Sequence, residues 1–250
     1  MNIKAAYKYQ LTDRKRSIIV FYCVILILTI FLGVMSVNFS SEGSMLSGME
    51  TATAIFLFIL GLCTFKEPFF MLLQNGVSRK TIFKSQLFVT ITITFIMAVI
   101  DKIFFIVDKS FSSLSNSGYI YLSLYEQIYN MGLPFANTFS LHVKMFIFYF
   151  LMYLAIFAIG YLITLIFYRL NKYGRIAVGA GVPVGLFIIL PIMDNFLFDS
   201  RISHAIGSFF DFALGITSHN PYAAMISFTV AFVILSLLSW LLLRKAVVNA

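Results

Sequence analysis

Apolar residues fall in six long runs separated by short polar connectors: about Ile18 to Val37, Thr51 to Phe65, Gln86 to Val107, Met145 to Tyr168, Ile176 to Met193 and Ala223 to Leu243. A helix of about 20 such residues spans the ~30 Å hydrocarbon core of a bilayer. An open strand edge at that depth would leave backbone groups unpaired. The pattern therefore predicts an all-α membrane protein, a six-helix transmembrane bundle forming one domain over residues 1-250. Thr90, Thr92 and Thr94 alternate as in a strand, but inside a long apolar run they read as helical residues whose hydroxyls bond the preceding turn.

Composition agrees. Of the 250 residues 60% are hydrophobic, 29 are Phe, and 11% are charged, against about 25% charged residues in soluble domains. A cytosolic enzyme and a nucleic-acid module are both excluded. The net charge of +8 follows topology. Fourteen of the eighteen Lys and Arg residues flank the runs on one side, from Lys4, Lys8, Arg14, Lys15 and Arg16 to Arg244 and Lys245, and eight of the ten acids lie on the other. The basic side is expected to be cytoplasmic. This predicts a multi-pass membrane protein with both termini inside and the first run retained as a span. Cys23 and Cys63 read as buried small side chains.

The connectors differ in character. Asn38 to Glu50 reads as a simple Ser- and Gly-rich outer link. In Lys109 to Lys144 the stretch Ser115 to Gly118 precedes Tyr121 to Tyr129, where a small external helix and a mobile loop are alternatives. The inner segment Lys66 to Lys84 is too short and polar to cross. Pro68 suits the opening turn of a short helix, Asn75-Gly76 its end, and Ser78 the cap of the helix entering the third span. This predicts a compact elbow. Its apolar Phe69, Phe70, Leu72 and Leu73 must be covered by the parent bundle or by another protein, so periodicity alone leaves an ordinary turn and a docking site both open.

With its six spans, basic N-terminal approach and the elbow sequence Leu73-Gln74-Asn75-Gly76-Val77-Ser78-Arg79-Lys80, the chain resembles an ABC-2 (type V exporter) permease subunit. The resemblance covers nearly the whole chain as architecture and about twenty residues as pattern. It implies that residues 66-84 form a coupling helix docked on a separate ATPase. Glu67, Phe69, Phe70 and Leu73 would contact that partner, and Asn75, Gly76, Ser78, Arg79 and Lys80 would fix the turn and its approach. It also implies an amphipathic connecting helix over residues 1-17 and short outer re-entrant helices over residues 200-216. No cofactor is expected in this chain. ATP and Mg would belong to the ATPase, present in two copies, and the other expected partners are membrane lipid and a second permease subunit, identical or homologous.

Three further features admit two readings each. Residues 1-17 suit an inner-surface helix whose cations meet anionic headgroups, or a charge cluster that only sets topology. Gly179, Gly181, Pro183, Gly185 and Pro191 make the fifth span unlike a straight rod, giving a candidate hinge at Gly181, Pro183 and Gly185 or a static kink. Tyr149, Tyr153, Phe157 and Tyr161 share one helix face, as a translocation path or as packing and subunit interface. Asp211, in an otherwise apolar segment, must face water, a partner or the bundle interior.

The sequence holds no phosphate-binding loop, nucleophile elbow or His-Glu-x-x-His motif. His142, His204 and His219 are dispersed, and Asp101-Lys102 suggests a local pairing with another polar group, since adjacency alone does not put the two face to face. No enzyme is expected from these residues, and the resemblance implies the transmembrane subunit of an ATP-driven exporter of a hydrophobic or amphipathic substrate, peptide first and lipid or drug next. A non-transporting sensor or immunity scaffold using the same elbow is the alternative. Few ionisable groups are expected inside the spans, which counts against a gradient-driven transporter.

Overall fold

The computed structural model describes residues 3–39, 45–114, 120–129, 139–197 and 200–244. Among them, six helical segments are long and apolar enough to cross a membrane: Ile3–Met35, Met49–Gln74, Arg79–Ser110, Phe139–Arg169, Lys172–Phe196 and Pro221–Arg244. Each expected run lies in or overlaps one of them, and the chain is a multi-pass, helical membrane protein. Glu42, the stretch Ser115 to Gly118, Asp199 and Lys245 lie outside the described residues.

The elements are α1 (Ile3–Phe39), β1 (Met45–Ser47), α2 (Met49–Cys63), α3 (Lys66–Gln74), α4 (Arg79–Leu114), β2 (Ile120–Leu122), α5 (Leu124–Tyr129) and α6 (Phe139–Arg169). The fifth span then runs through α7 (Lys172–Ile176), α8 (Val182–Val184) and α9 (Leu190–Leu197), and α10 (Arg201–Leu214) and α11 (Pro221–Arg244) follow. The long threonine-containing run is helical throughout: Thr94 Oγ1 donates to Thr90 O at 2.9 Å and Thr92 Oγ1 to Phe88 O at 2.8 Å.

Helix α6 is the hub, packed against α2, α4 and α11. Its crossing with α2 is set by two glycines. A Cβ on Gly61 would lie 2.6 Å from Phe157 O, and one on Gly160 would lie 2.4 Å from Phe58 O. Only hydrogens fit there, so the two backbones touch. The core between α2, α4 and α6 includes Leu57, Val89, Ile93, Met97, Phe148 and Tyr153.

Helix α1 is unbroken over 37 residues, not a separate connecting helix followed by a span. Its contacts with α4 show how it lies. Tyr7 bonds Thr92 and Arg14 bonds Gln86, while Tyr22 bonds Asp101. The first turns therefore cross α4, and the later ones run alongside it in the same direction.

The two connectors at the end opposite the elbow are joined. Met45, Leu46 and Ser47 pair in parallel with Ile120, Tyr121 and Leu122. The first connector is thus a strand-bearing link where a plain one was expected, and among the described residues one short strand pair stands beside the helices. Below it, α5 forms the small helix that was one of two options. Ser123 and Glu126 build a reciprocal capping box: Glu126 N donates to Ser123 Oγ at 3.3 Å, and Ser123 N donates to Glu126 Oε2 at 3.1 Å. Lys109 pairs with Glu126 Oε1 at 3.2 Å. Burial beside Tyr125 pushes the Tyr129 phenol up to about 12, so the hydroxyl keeps its proton and donates to Leu214 O at 2.6 Å.

Candidate functional site

The elbow forms as its residue types dictate. Pro68 sits in the first turn of α3, where its missing N–H leaves no bond unmade. At the other end Gly76 takes φ 72°. Gly76 N donates to Leu73 O at 2.9 Å, and Val77 N donates to Leu72 O at 3.0 Å, which closes a Schellman motif. Val77 is buried beneath it. Ser78 then caps α4 through Thr81 N at 3.3 Å. Arg79 Nη1 donates to Arg244 O at 3.0 Å, placing a cation on the last carbonyls of α11. The elbow is thereby tied to the sixth span, and edge-to-face packing of Phe65, Phe69 and Phe70 around Tyr168 ties it to α6.

The phase of α3 corrects one expectation. Phe69 is 1% exposed and points into the bundle, so it cannot present itself to a partner. Phe70 and Leu73 are half-buried. The outward face consists of Glu67, Met71, Gln74 and Asn75, with Ser78 and Lys80 beyond. Met71 and Gln74 lacked any sequence signal beyond helical phase, which fixes them once Phe69 and Leu72 are known to face inward. Beside the elbow, Lys66, Phe70, Tyr168 and Arg175 line a groove of about 330 Å³.

Tyr149, Tyr153, Phe157 and Tyr161 are all buried within this one chain. Tyr149 accepts a hydrogen bond from Tyr125 N at 3.1 Å, and Tyr153 donates to Asp101 Oδ2. The stripe is an internal packing face between α6 and its neighbours. Asp101 also accepts from Tyr22 at 2.8 Å and Thr53 at 3.2 Å, so one carboxylate links α1, α2, α4 and α6. Lys102 turns elsewhere, with its ammonium 4.2 Å from the Phe105 ring centroid.

Arg14, Glu50, Asp101 and Asp108 are all buried within candidate spans. The spans are therefore richer in ionisable groups than expected. Arg14, expected at a headgroup surface, is 2% exposed and donates to Gln86 Oε1 at 2.6 Å.

The fifth span is the opposite case. Pro183 lies between π-helical turns at Ala177–Gly181 and Gly185–Ile189. No residue from Lys172 to Ile189 is buried. The irregularity expected at Gly181, Pro183 and Gly185 is present, and among the described residues nothing lies within 4 Å of where a Cβ on either glycine would stand. Asp194 then holds the start of α10, accepting from Ile202 N at 2.9 Å and Ser203 N at 2.7 Å. In α10, Phe209, Phe210 and Phe212 are exposed and Asp211 is half-buried.

No family model, curated protein or solved structure matches the chain. Its chemistry must be read from its own residues. Among the described residues no group of three His, Cys, Asp or Glu could hold a metal ion. His204 and His219 are exposed, and His142 is half-buried near Phe105. Cys23 and Cys63 are exposed on the apolar surface, not buried as expected.

Proposed function

We propose that this chain is the membrane-spanning subunit of an ATP-driven exporter of ABC-2 type, acting with a second permease subunit and two copies of a separate ATPase. The observation that carries the reading is the elbow. It is a short helix, closed at one end by a Schellman motif and followed by a capped span, and it is braced to both α6 and α11. A push on its free face at Glu67, Met71 and Gln74 reaches two spans without first deforming a loop. The basic flanks favour a cytoplasmic position for this end, where an ATPase would be. The 14 residues of α10, about 21 Å of helix, are too few to cross a bilayer, which suits an outer re-entrant or interfacial element. The small size and apolar surface favour a hydrophobic or amphipathic cargo, peptide before lipid or drug.

The test is purification of the intact protein from native membranes in mild detergent, with and without Met71→Glu or Glu67→Lys. A stoichiometric ATPase subunit is expected with the parent chain and is lost from the variants while their melting behaviour is unchanged. Reproducible absence of any ATPase from a folded preparation overturns the proposal. Buried Glu50 and Asp101 inside candidate spans give a gradient-driven transporter a specific foothold as the second reading. Cargo movement that persists with a hydrolysis-dead ATPase and collapses with the proton gradient would select it. A phenotype that persists without any cargo movement would select the sensor or immunity scaffold.

A further inference from the structure

Helix α3 carries three stripes of side chains. Phe69 and Leu72 face the bundle, and Glu67, Met71 and Gln74 face outward. Lys66 and Phe70, one helical turn apart, share a third side. That side is one wall of the groove of about 330 Å³ beside the elbow, and Thr164, Phe167 and Tyr168 of α6 with Arg175 of α7 make the other. The size falls at the lower end of the ~300–1,000 Å³ of ligand sites.

The groove carries positive charge and no acid. Lys66 and Arg175 have no ion pair among the described residues, where Lys109 with Glu126 is the salt bridge found. Glu67, next to Lys66 in sequence, belongs to the outward stripe and not to the groove wall. Arg175 is held in place by the chain itself. Its Nε donates to Phe167 O and Leu170 O, each at 3.1 Å, which lays the guanidinium across the last carbonyls of α6. Nη1 and Nη2 make no hydrogen bond among the described residues. A guanidinium anchored through Nε keeps a two-pronged donor for a phosphate or a carboxylate.

The two ends of the groove lie in different surroundings. Lys66 and Arg175 stand just beyond the ends of α2 and α6, with Arg169 and Lys172 close in sequence and Tyr173 85% exposed. Cations and amphipathic rings of this kind sit at headgroup level. Thr164 lies about 7.5 Å back along α6 from Arg169, and its hydroxyl donates to Leu62 O at 2.6 Å, so that end of the groove is inside the spans. An acidic peptide from a water-soluble partner would meet the cations but not a wall within the bilayer. A phospholipid presents a charged head and then an apolar chain, in the order that the groove does.

We propose that this groove is a binding site for an anionic phospholipid of the leaflet at the elbow end, with its phosphate between Lys66 and Arg175 and the start of an acyl chain along Phe70 and Phe167. The lipid would bridge α3 to the turn between α6 and α7. The inference needs a bilayer around the spans and holds whether or not an ATPase docks on the outward stripe.

Purified full-length protein in a neutral mild detergent is titrated separately with dioleoylphosphatidylglycerol, dioleoylphosphatidylcholine and inorganic phosphate, reading bound lipid by native mass spectrometry and the thermal midpoint. Preferential retention of phosphatidylglycerol and a midpoint raised by it are expected. Lys66→Gln and Arg175→Gln should each weaken that retention about fivefold, while Lys80→Gln, an exposed cation outside the groove, leaves it unchanged. Equal retention of phosphatidylcholine overturns the proposal, as does an equal loss in Lys80→Gln, which would mean diffuse surface charge. An equal midpoint rise with inorganic phosphate would assign the cations to a free anion and also overturns it. So does loss of a copurifying ATPase from Lys66→Gln with phosphatidylglycerol retention unchanged, which would give the groove to a protein partner. Should Arg175→Gln fail to fold for want of its bonds to α6, Lys66→Gln decides alone, and unchanged phosphatidylglycerol retention in it overturns the proposal.

Discussion

Two pairs of glycines in this protein do opposite things. Gly61 and Gly160 bring the backbones of α2 and α6 into contact, where a methyl group on either would strike a carbonyl oxygen. Gly181 and Gly185 flank Pro183 in the fifth span and face open space. In the first pair the missing side chain is the packing. In the second it leaves the chain free to form π-helical turns around a residue that cannot donate to the ladder. The body built on α2, α4 and α6 is held by close contact and buried hydrogen bonds, whereas the fifth span carries almost none of either.

If that contrast holds, the largest effects come from the body. Tyr153→Ala removes a fully buried ring and strands Asp101 with one donor fewer. A loss of about 3–5 kcal/mol is expected, as for other buried aromatic truncations, measured by reversible unfolding in detergent micelles. Loss of assembly together with stability would fix the stripe as structural. A variant that assembles normally but stops moving cargo would instead make it part of a translocation path and break the contrast.

Next comes the glycine crossing. Gly160→Ala forces α2 and α6 apart against backbone atoms, with an expected cost of about 1–3 kcal/mol, and Gly61→Ala should behave alike. The two are in one contact, so the double variant should cost less than the sum. Strict additivity would mean that the helices do not cross where these glycines meet.

A smaller effect is expected at the end opposite the elbow. Ser123→Ala removes one half of the capping box of α5 and should cost about 1 kcal/mol. Amide exchange should quicken in Tyr125 to Tyr129 before it does in α6. Uniform quickening across α6 would show that α5 is a brace for the bundle and not a local cover.

How far these differences were legible in the sequence depends on the range of the physics involved. The six spans follow from hydropathy, and the elbow from Pro68, Gly76 and Ser78, because caps and turns act within four or five residues. The Ser123-x-x-Glu126 box was equally local and would have settled α5 as a helix. Arg14 was misplaced because its neighbours Lys15 and Arg16 are exposed, and only the packing of α1 across α4 decides which cation turns inward. Phe69, and not Met71, was read as outward-facing for a related reason. The five consecutive apolar side chains from Phe69 to Leu73 do not fix the rotation of α3 about its axis until Tyr168 is placed beside it. Gly61 and Gly160 are 99 positions apart in sequence, and neither local pattern distinguishes them from Gly181 and Gly185.

The smallest expected effect is therefore the most discriminating. Gly181→Ala and Gly185→Ala add a methyl group that meets nothing in this chain, at helical φ values that any residue adopts. Stability of the isolated chain should stay within about 0.5 kcal/mol, with a slight gain from the better helix propensity of alanine. The informative step is to repeat the measurement on the complex purified from native membranes. If alanine is silent in the isolated chain and silent in the complex, these glycines serve the bend around Pro183. If it is silent in the isolated chain but loosens the complex, the open face of the fifth span is covered by another subunit, and the close approach seen between α2 and α6 recurs between chains. A large loss in the isolated chain is the outcome that breaks the contrast, since it would require the span to lie against the body it leaves here.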